Sequence, residues 1–82
     1  MLIKVTAISY ATVGHGSETK VSSVIMQDRW INPTQILSLS VRKNLPKESP
    51  HQQLTEITIG PGFMKVAETP DQINNLIRES RR

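Results

Sequence analysis

Hydrophobic and polar positions alternate with a two-residue period through most of the chain, and the period becomes helical only near its end. Residues 2–11, LIKVTAISYA, put Ile3, Val5 and Ala7 on one face and Lys4 and Thr6 on the other, as a half-buried strand requires. The phase is lost at Ile8 and Tyr10, which implies a bulge or a strand covered on both faces near its end. Val13-Gly14-His15-Gly16-Ser17 reads as a turn, because two glycines supply positive φ without steric cost. Residues 20–26, KVSSVIM, form a second strand whose two faces are both partly apolar. Gln27-Asp28-Arg29 is polar and reads as a turn before Trp30-Ile31 returns to apolar character.

Asn32-Pro33-Thr34-Gln35 has the chemistry of a single helical turn, with Asn as cap and Pro at the first position. Residues 36–42, ILSLSVR, give the cleanest alternation, with Leu37, Leu39 and Val41 on one face and Ser38 and Ser40 on the other. Residues 43–53, KNLPKESPHQQ, hold two prolines and mixed charge and read as a surface loop. Residues 54–59, LTEITI, and the segment from Phe63 to Ala67 are two further strands. The first has Ile57 and Ile59 inward, and the second has Met64 and Val66 on one face. Thr69-Pro70-Asp71-Gln72 starts a helix: Thr69 caps, Pro70 gives up an N–H that has no partner there, and Gln72 completes a capping box. Ile73, Leu76 and Ile77 then share one helical face.

Gly60-Pro61-Gly62 admits two readings, a phosphate-cradling loop or a hairpin corner. A phosphate loop joins a strand to a helix and offers Lys and Ser or Thr after its glycines. Here Phe63 and Met64 follow in a strand, so the hairpin is expected. Pro61 and Gly62 suit the two central positions of a type II turn, which twists its flanking strands poorly, so a bulge is expected at Gly60. Gly14-His15-Gly16-Ser17 has the same ambiguity, strand turn or anion-binding nest.

Together these elements predict an α+β fold in a single domain over residues 1–82: a small bent antiparallel sheet or partial barrel of about five strands, with one C-terminal helix. At 82 residues such a chain buries only roughly 60 to 65 % of its surface. It has no cysteine, so neither disulfides nor a thiolate metal site can staple it. Stability must come from a compact core, from oligomerisation, or from both. The first residues lack the basic region of a secretory signal, and no apolar run approaches a membrane span, so a cytoplasmic protein without a membrane partner is expected.

Chemistry is sparse. The seven acids are scattered, the serines form no nucleophile elbow, and His15 and His51 lie far apart, so neither an enzyme nor a metal site is expected, and no cofactor is implied. The net charge of +3 is mild, but Arg78, Arg81 and Arg82 crowd the end of the chain. They can meet phosphate, or simply complement the C-terminal end of the helix dipole. Trp30, the single tryptophan, is either a core anchor or a contact residue for a partner.

The second half has a recurring layout. Trp30-Ile31-Asn32-Pro33 and Gln35-Ile36 lead into the strand Leu37 to Val41. Thr55 to Ile59, a glycine turn and Val66 follow, then Glu68-Thr69-Pro70 and the segment Ile73 to Ile77. Over about residues 30–77 this resembles the small FlbD-like proteins of flagellar operons, and similar small phage and mobile-element proteins. The present chain has an N-terminal extension, a longer loop at 43–53, and Gly60-Pro61-Gly62 in place of Asn-Gly. The resemblance implies a small sheet-and-helix fold and brings no catalytic residues.

Three function classes follow. The first is a non-catalytic module that binds a protein partner, as a small bacterial or phage regulator or inhibitor, through Trp30, the loop at 43–53 and an exposed strand edge. Such an edge also makes a homo-oligomer plausible. The second is an oligomeric binder of a small anionic ligand such as a nucleotide, lined by His15 and its glycines, Arg42, Lys43 and the C-terminal arginines. The third is nucleic-acid binding through Lys43, Lys47, Arg78, Arg81 and Arg82. A shortage of aromatics and the absence of a recognition motif count against it.

Overall fold

The alternation in the first third of the chain becomes one long antiparallel hairpin. In the computed structural model, which describes residues 1–46 and 48–81, β1 (Ile3–Val13) pairs along its whole length with β2 (Lys20–Ile31), and a 3-10 turn at Gly16–Glu18 closes the far end. A second 3-10 turn (Pro33–Gln35) leads to β3 (Ile36–Arg42). After the 43–53 loop come β4 (Leu54–Ile59), β5 (Gly62–Val66) and α1 (Pro70–Ser80). The five strands form one antiparallel sheet in the order β2-β1-β5-β4-β3, which does not close. This is the α+β sheet with a C-terminal helix that the pattern implies.

The connection between the two outer strands bends the sheet. Ile31 ends β2 at one edge and Ile36 starts β3 at the other. Five Cα steps reach at most roughly 17 Å, while four strand spacings of a flat sheet come to about 19 Å. The 3-10 turn shortens the reach further, so the sheet must curl. The curl gathers one face into the core, where Ile3, Val5, Ile31, Ile57, Val66 and Ile73 are buried against Ile36, Leu39, Ile59, Met64, Leu76 and Ile77. The helix contributes the Ile73, Leu76 and Ile77 face, and its capping box forms in full: Gln72 N–H donates to Thr69 Oγ1 (3.1 Å) and Thr69 N–H to Gln72 Oε1 (2.8 Å).

The β1–β2 hairpin outruns this core. The molecule measures 46 × 22 × 18 Å with a radius of gyration of 13.8 Å, against about 12 Å for a compact domain of this length. Ile8, Val21 and Leu54 are buried outside the main cluster. Ser49 and His51 of the connecting loop lie over the face of β1 that carries Ile8, because the Tyr10 hydroxyl bonds Ser49 Oγ (2.7 Å) and His51 Nδ1 (3.0 Å). Ile8 and Tyr10 break the alternation because β1 is covered on both faces there, and a register shift follows at Ala11/Thr12.

Three expectations are corrected. Gln27-Asp28-Arg29 is not a turn: the three residues pair with Ala7, Thr6 and Val5, and Lys4 Nζ reaches Asp28 Oδ2 at 3.6 Å. An exposed edge strand needs no apolar residues to persist when its partner ladder is continuous. Second, the β4–β5 register runs unbroken to Ile59↔Gly62, without a bulge at Gly60. Positive φ sits at Gly60 (55°) and not at Gly62. With Pro61 fixed at negative φ, the signs are those of a type II′ turn, whose twist matches the strands and makes a bulge unnecessary. Third, the bulge of this half lies in β3, between Ile36 and Ser38, and turns Leu37 out to 67 % exposure. Leu37 therefore does not share the core face with Leu39.

Candidate functional site

The most distinctive local geometry is the seam between β1 and β5. The two strands pair at Ala7↔Val66 alone, and Ala67 N–H donates to the Thr6 carbonyl at 3.0 Å. On one side of this pair the ladder is ended by Glu68. Its carboxylate accepts Thr6 N–H at Oε1 (2.7 Å) and Thr6 Oγ1 at Oε2 (2.9 Å), while its carbonyl accepts Thr55 Oγ1 (2.6 Å). One residue thus ties β1 to β4 at the point where the chain leaves the sheet for the helix cap. Thr55, the buried polar residue of the core, is satisfied by the same clamp.

On the other side of Ala7↔Val66 the strands part and leave a groove of about 610 Å³. Ile8, Tyr10 and Thr12 of β1 line one wall, and Phe63, Met64 and Lys65 of β5 another. Asn44, Leu45 and Pro46 of the loop close a third side, and Arg29 and Arg42 reach in from β2 and β3. The described lining residues include three cations, Arg29, Arg42 and Lys65, and no acid. Arg42 is itself held by Glu56, at 3.5 Å.

The sequence-predicted site residues are not brought together. Trp30 lies on edge strand β2 opposite Lys4, 59 % exposed, so it is not a core anchor. His15 is exposed at the hairpin tip, where its carbonyl accepts Glu18 N–H (3.0 Å). Gly16 borders a shallow depression with Ser17, Thr19 and the same loop residues Asn44–Pro46. Arg42 lines the groove, and Lys43 is exposed just beyond β3. Arg78 and Arg81 are exposed at the end of α1 and line neither depression. Lys47 and Arg82 lie outside the described residues. The anionic-ligand set of His15, Arg42, Lys43 and the described helix arginines is therefore distributed over the hairpin tip, the groove and the helix.

The Tyr10–Ser49–His51 cluster has the residue types of nucleophile chemistry but a different arrangement. Ser49 Oγ bonds the Tyr10 hydroxyl and both backbone groups of His51, and the His51 ring is held by Tyr10 instead. A base must reach the nucleophile's own proton, so the arrangement is that of a clasp that fixes the loop. Among the described residues no three His, Asp or Glu side chains gather as metal ligands, and no helix is long and apolar enough to cross a membrane.

Glu68, Arg29 and Lys65 escape sequence reasoning. Arg29 sits in a polar triplet that mimics a turn, and Lys65 lies on an ordinary polar strand face. For Glu68 the only signal is its place between a strand and a helix cap. No family model matches the chain, and neither a curated protein nor a solved structure does. None of these comparisons bears on the resemblance to the FlbD-like proteins.

Proposed function

We propose that the chain is a non-catalytic protein-binding module, a small regulator or inhibitor that acts by occupying a partner's surface. The observation that supports this reading is the contrast between the two sheet edges. Edge β3 is short and broken by the bulge at Leu37, two devices that discourage further strand pairing. Edge β2 is 12 residues long and contains no proline; its register shift lies near the hairpin tip at Ser22, and the unbroken stretch beyond it carries Ile25, Met26 and Trp30 exposed. A long edge with free backbone groups and large apolar side chains is a surface that associates, and Trp is the residue type most enriched where binding energy concentrates.

The test is site-specific photo-crosslinking in the source cells, with the reactive residue at position 26 or 30 and a control at the exposed position 74 of α1. The expected result is a discrete heteromeric adduct from 26 and 30 that is absent from 74. Adducts of the same yield from all three positions would refute the reading. Adducts of the chain with itself alone would replace it with a homo-oligomer built on β2.

A further inference from the structure

We propose that the fork between β1 and β5 receives an extended acidic peptide segment, which adds to the free edge of β1 as an extra strand. The inference deepens the protein-binding reading and rests on it, but it concerns a surface separate from the outer edge of β2.

The backbone carries the first half of the argument. Residues along a strand direct their N–H and C=O groups alternately to its two sides. Thr6 sends both toward β5, since its N–H meets Glu68 and its C=O meets Ala67 N–H. The same phase sends Ile8 and Tyr10 in that direction. β5 pairs with β1 at Ala7↔Val66 alone, so among the described residues Tyr10 has no ladder partner on that side. Tyr10 and Thr12 line the groove. An open stretch of backbone flanked by a groove is what strand addition uses: main-chain bonds supply affinity, and the groove reads alternate side chains.

Charge supplies the second half. Arg29, Arg42 and Lys65 converge on the groove from three strands, with no acid among the described lining residues. Glu56 holds Arg42 at 3.5 Å and stands opposite Lys65 across the β4–β5 ladder, so one carboxylate faces two of the three cations and the groove keeps a positive excess. A segment alternating acidic with apolar side chains meets these cations on its acidic positions and Phe63, Leu45 and Ile25 on its apolar ones. A single-stranded nucleic acid would share the charge complementarity, but it has no groups to complete a peptide ladder.

The experiment is nitrogen-15 amide NMR titration of the intact chain with an end-capped octapeptide alternating Glu and Val. The controls are the Lys–Val counterpart, the Glu–Val peptide N-methylated at alternate residues in either phase, and a single-stranded oligothymidylate. The expected result is saturable shifts at the amides of Tyr10, Thr12, Phe63 and Lys65 with the acidic peptide alone. One N-methylated phase should lose binding, and the variant Arg42→Ala/Lys65→Ala should bind roughly 3- to 30-fold more weakly. Equal binding of the Lys–Val peptide or of both N-methylated peptides would overturn the proposal. Displacement of the peptide by oligothymidylate at the same amides would overturn it in favour of nucleic acid. Shifts confined to Met26, Asp28 and Trp30, which do not line the groove, would also overturn it, while leaving the β2-edge reading intact.

Discussion

Replacing Glu68 by Ala tests how the two halves of the sheet are held together. Apart from Ala7↔Val66, the ties across the β1–β5 seam include the Ala67-to-Thr6 bond and the two bonds that Thr6 gives to the Glu68 carboxylate, 2.7 and 2.9 Å long and partly buried. Hydrogen bonds to a charged group contribute about 1.5–3 kcal/mol each, toward the lower figure where solvent reaches them. The Ala variant should therefore lose about 3 kcal/mol, a large share of the 5–15 kcal/mol typical of a domain. Glu68→Gln keeps an acceptor for Thr6 N–H and should lose about half as much. In urea, with a slope near the low end for small proteins of about 1 kcal/mol per molar, the Ala midpoint should fall by roughly 3 M. Amide exchange at Thr6 should accelerate more than at Ile57. A Glu68→Ala midpoint equivalent to less than about 0.5 kcal/mol of loss, or a Thr6 amide that stays as protected as before, would refute the clamp.

Three further outcomes follow from the same structure. Ile57→Ala, at a fully buried core position, should cost about 2–5 kcal/mol by chemical denaturation, whereas Leu37→Ala at the exposed bulge should stay within about 0.5 kcal/mol. Gly60→Ala should cost about 1 kcal/mol because only its φ of 55° opposes it. Gly14→Ala should cost more, since φ is 101° and the new Cβ would stand 2.5 Å from the Glu18 carbonyl oxygen. Gly62→Ala, with open space and no positive φ, should be nearly neutral by the same assay. Trp30 fluorescence should show water-exposed emission, fully quenchable by acrylamide, in the isolated chain; a blue-shifted, protected signal would contradict its position on the β2 edge.

The strands, the α1 cap and the core face of the helix are legible in the sequence because each depends on neighbours within a few residues. Thr69, Pro70 and Gln72 sit three residues apart at most, and the cap they form is local chemistry. What escaped depends on distant partners. Gln27-Asp28-Arg29 stays in a strand because Val5, Thr6 and Ala7 pair with it across the hairpin, and nothing within the triplet reports that. The placement of the bulge has the same origin. Gly60 could take either turn position, and the unbroken β4–β5 register selects the primed turn, so the irregularity moves to Leu37. The cations of the groove come from β2, β3 and β5, and only the sheet order makes them neighbours.

The fork and the weak seam have one cause. β1 is committed to β2 for 11 residues and follows the twist of that hairpin. β5 is committed to β4 through a two-residue turn and has only five residues of strand. Two hairpins with separate twists can run side by side only where they are pinned, and Glu68 pins them at Thr6. One strand step beyond Ala7↔Val66 the two twists are free to diverge, and β1 backbone is left facing a groove. In a closed barrel the same residues would be paired. The short connection between Ile31 and Ile36 bends the sheet without closing it, so the chain folds around one complete core and keeps an incomplete ladder beside it.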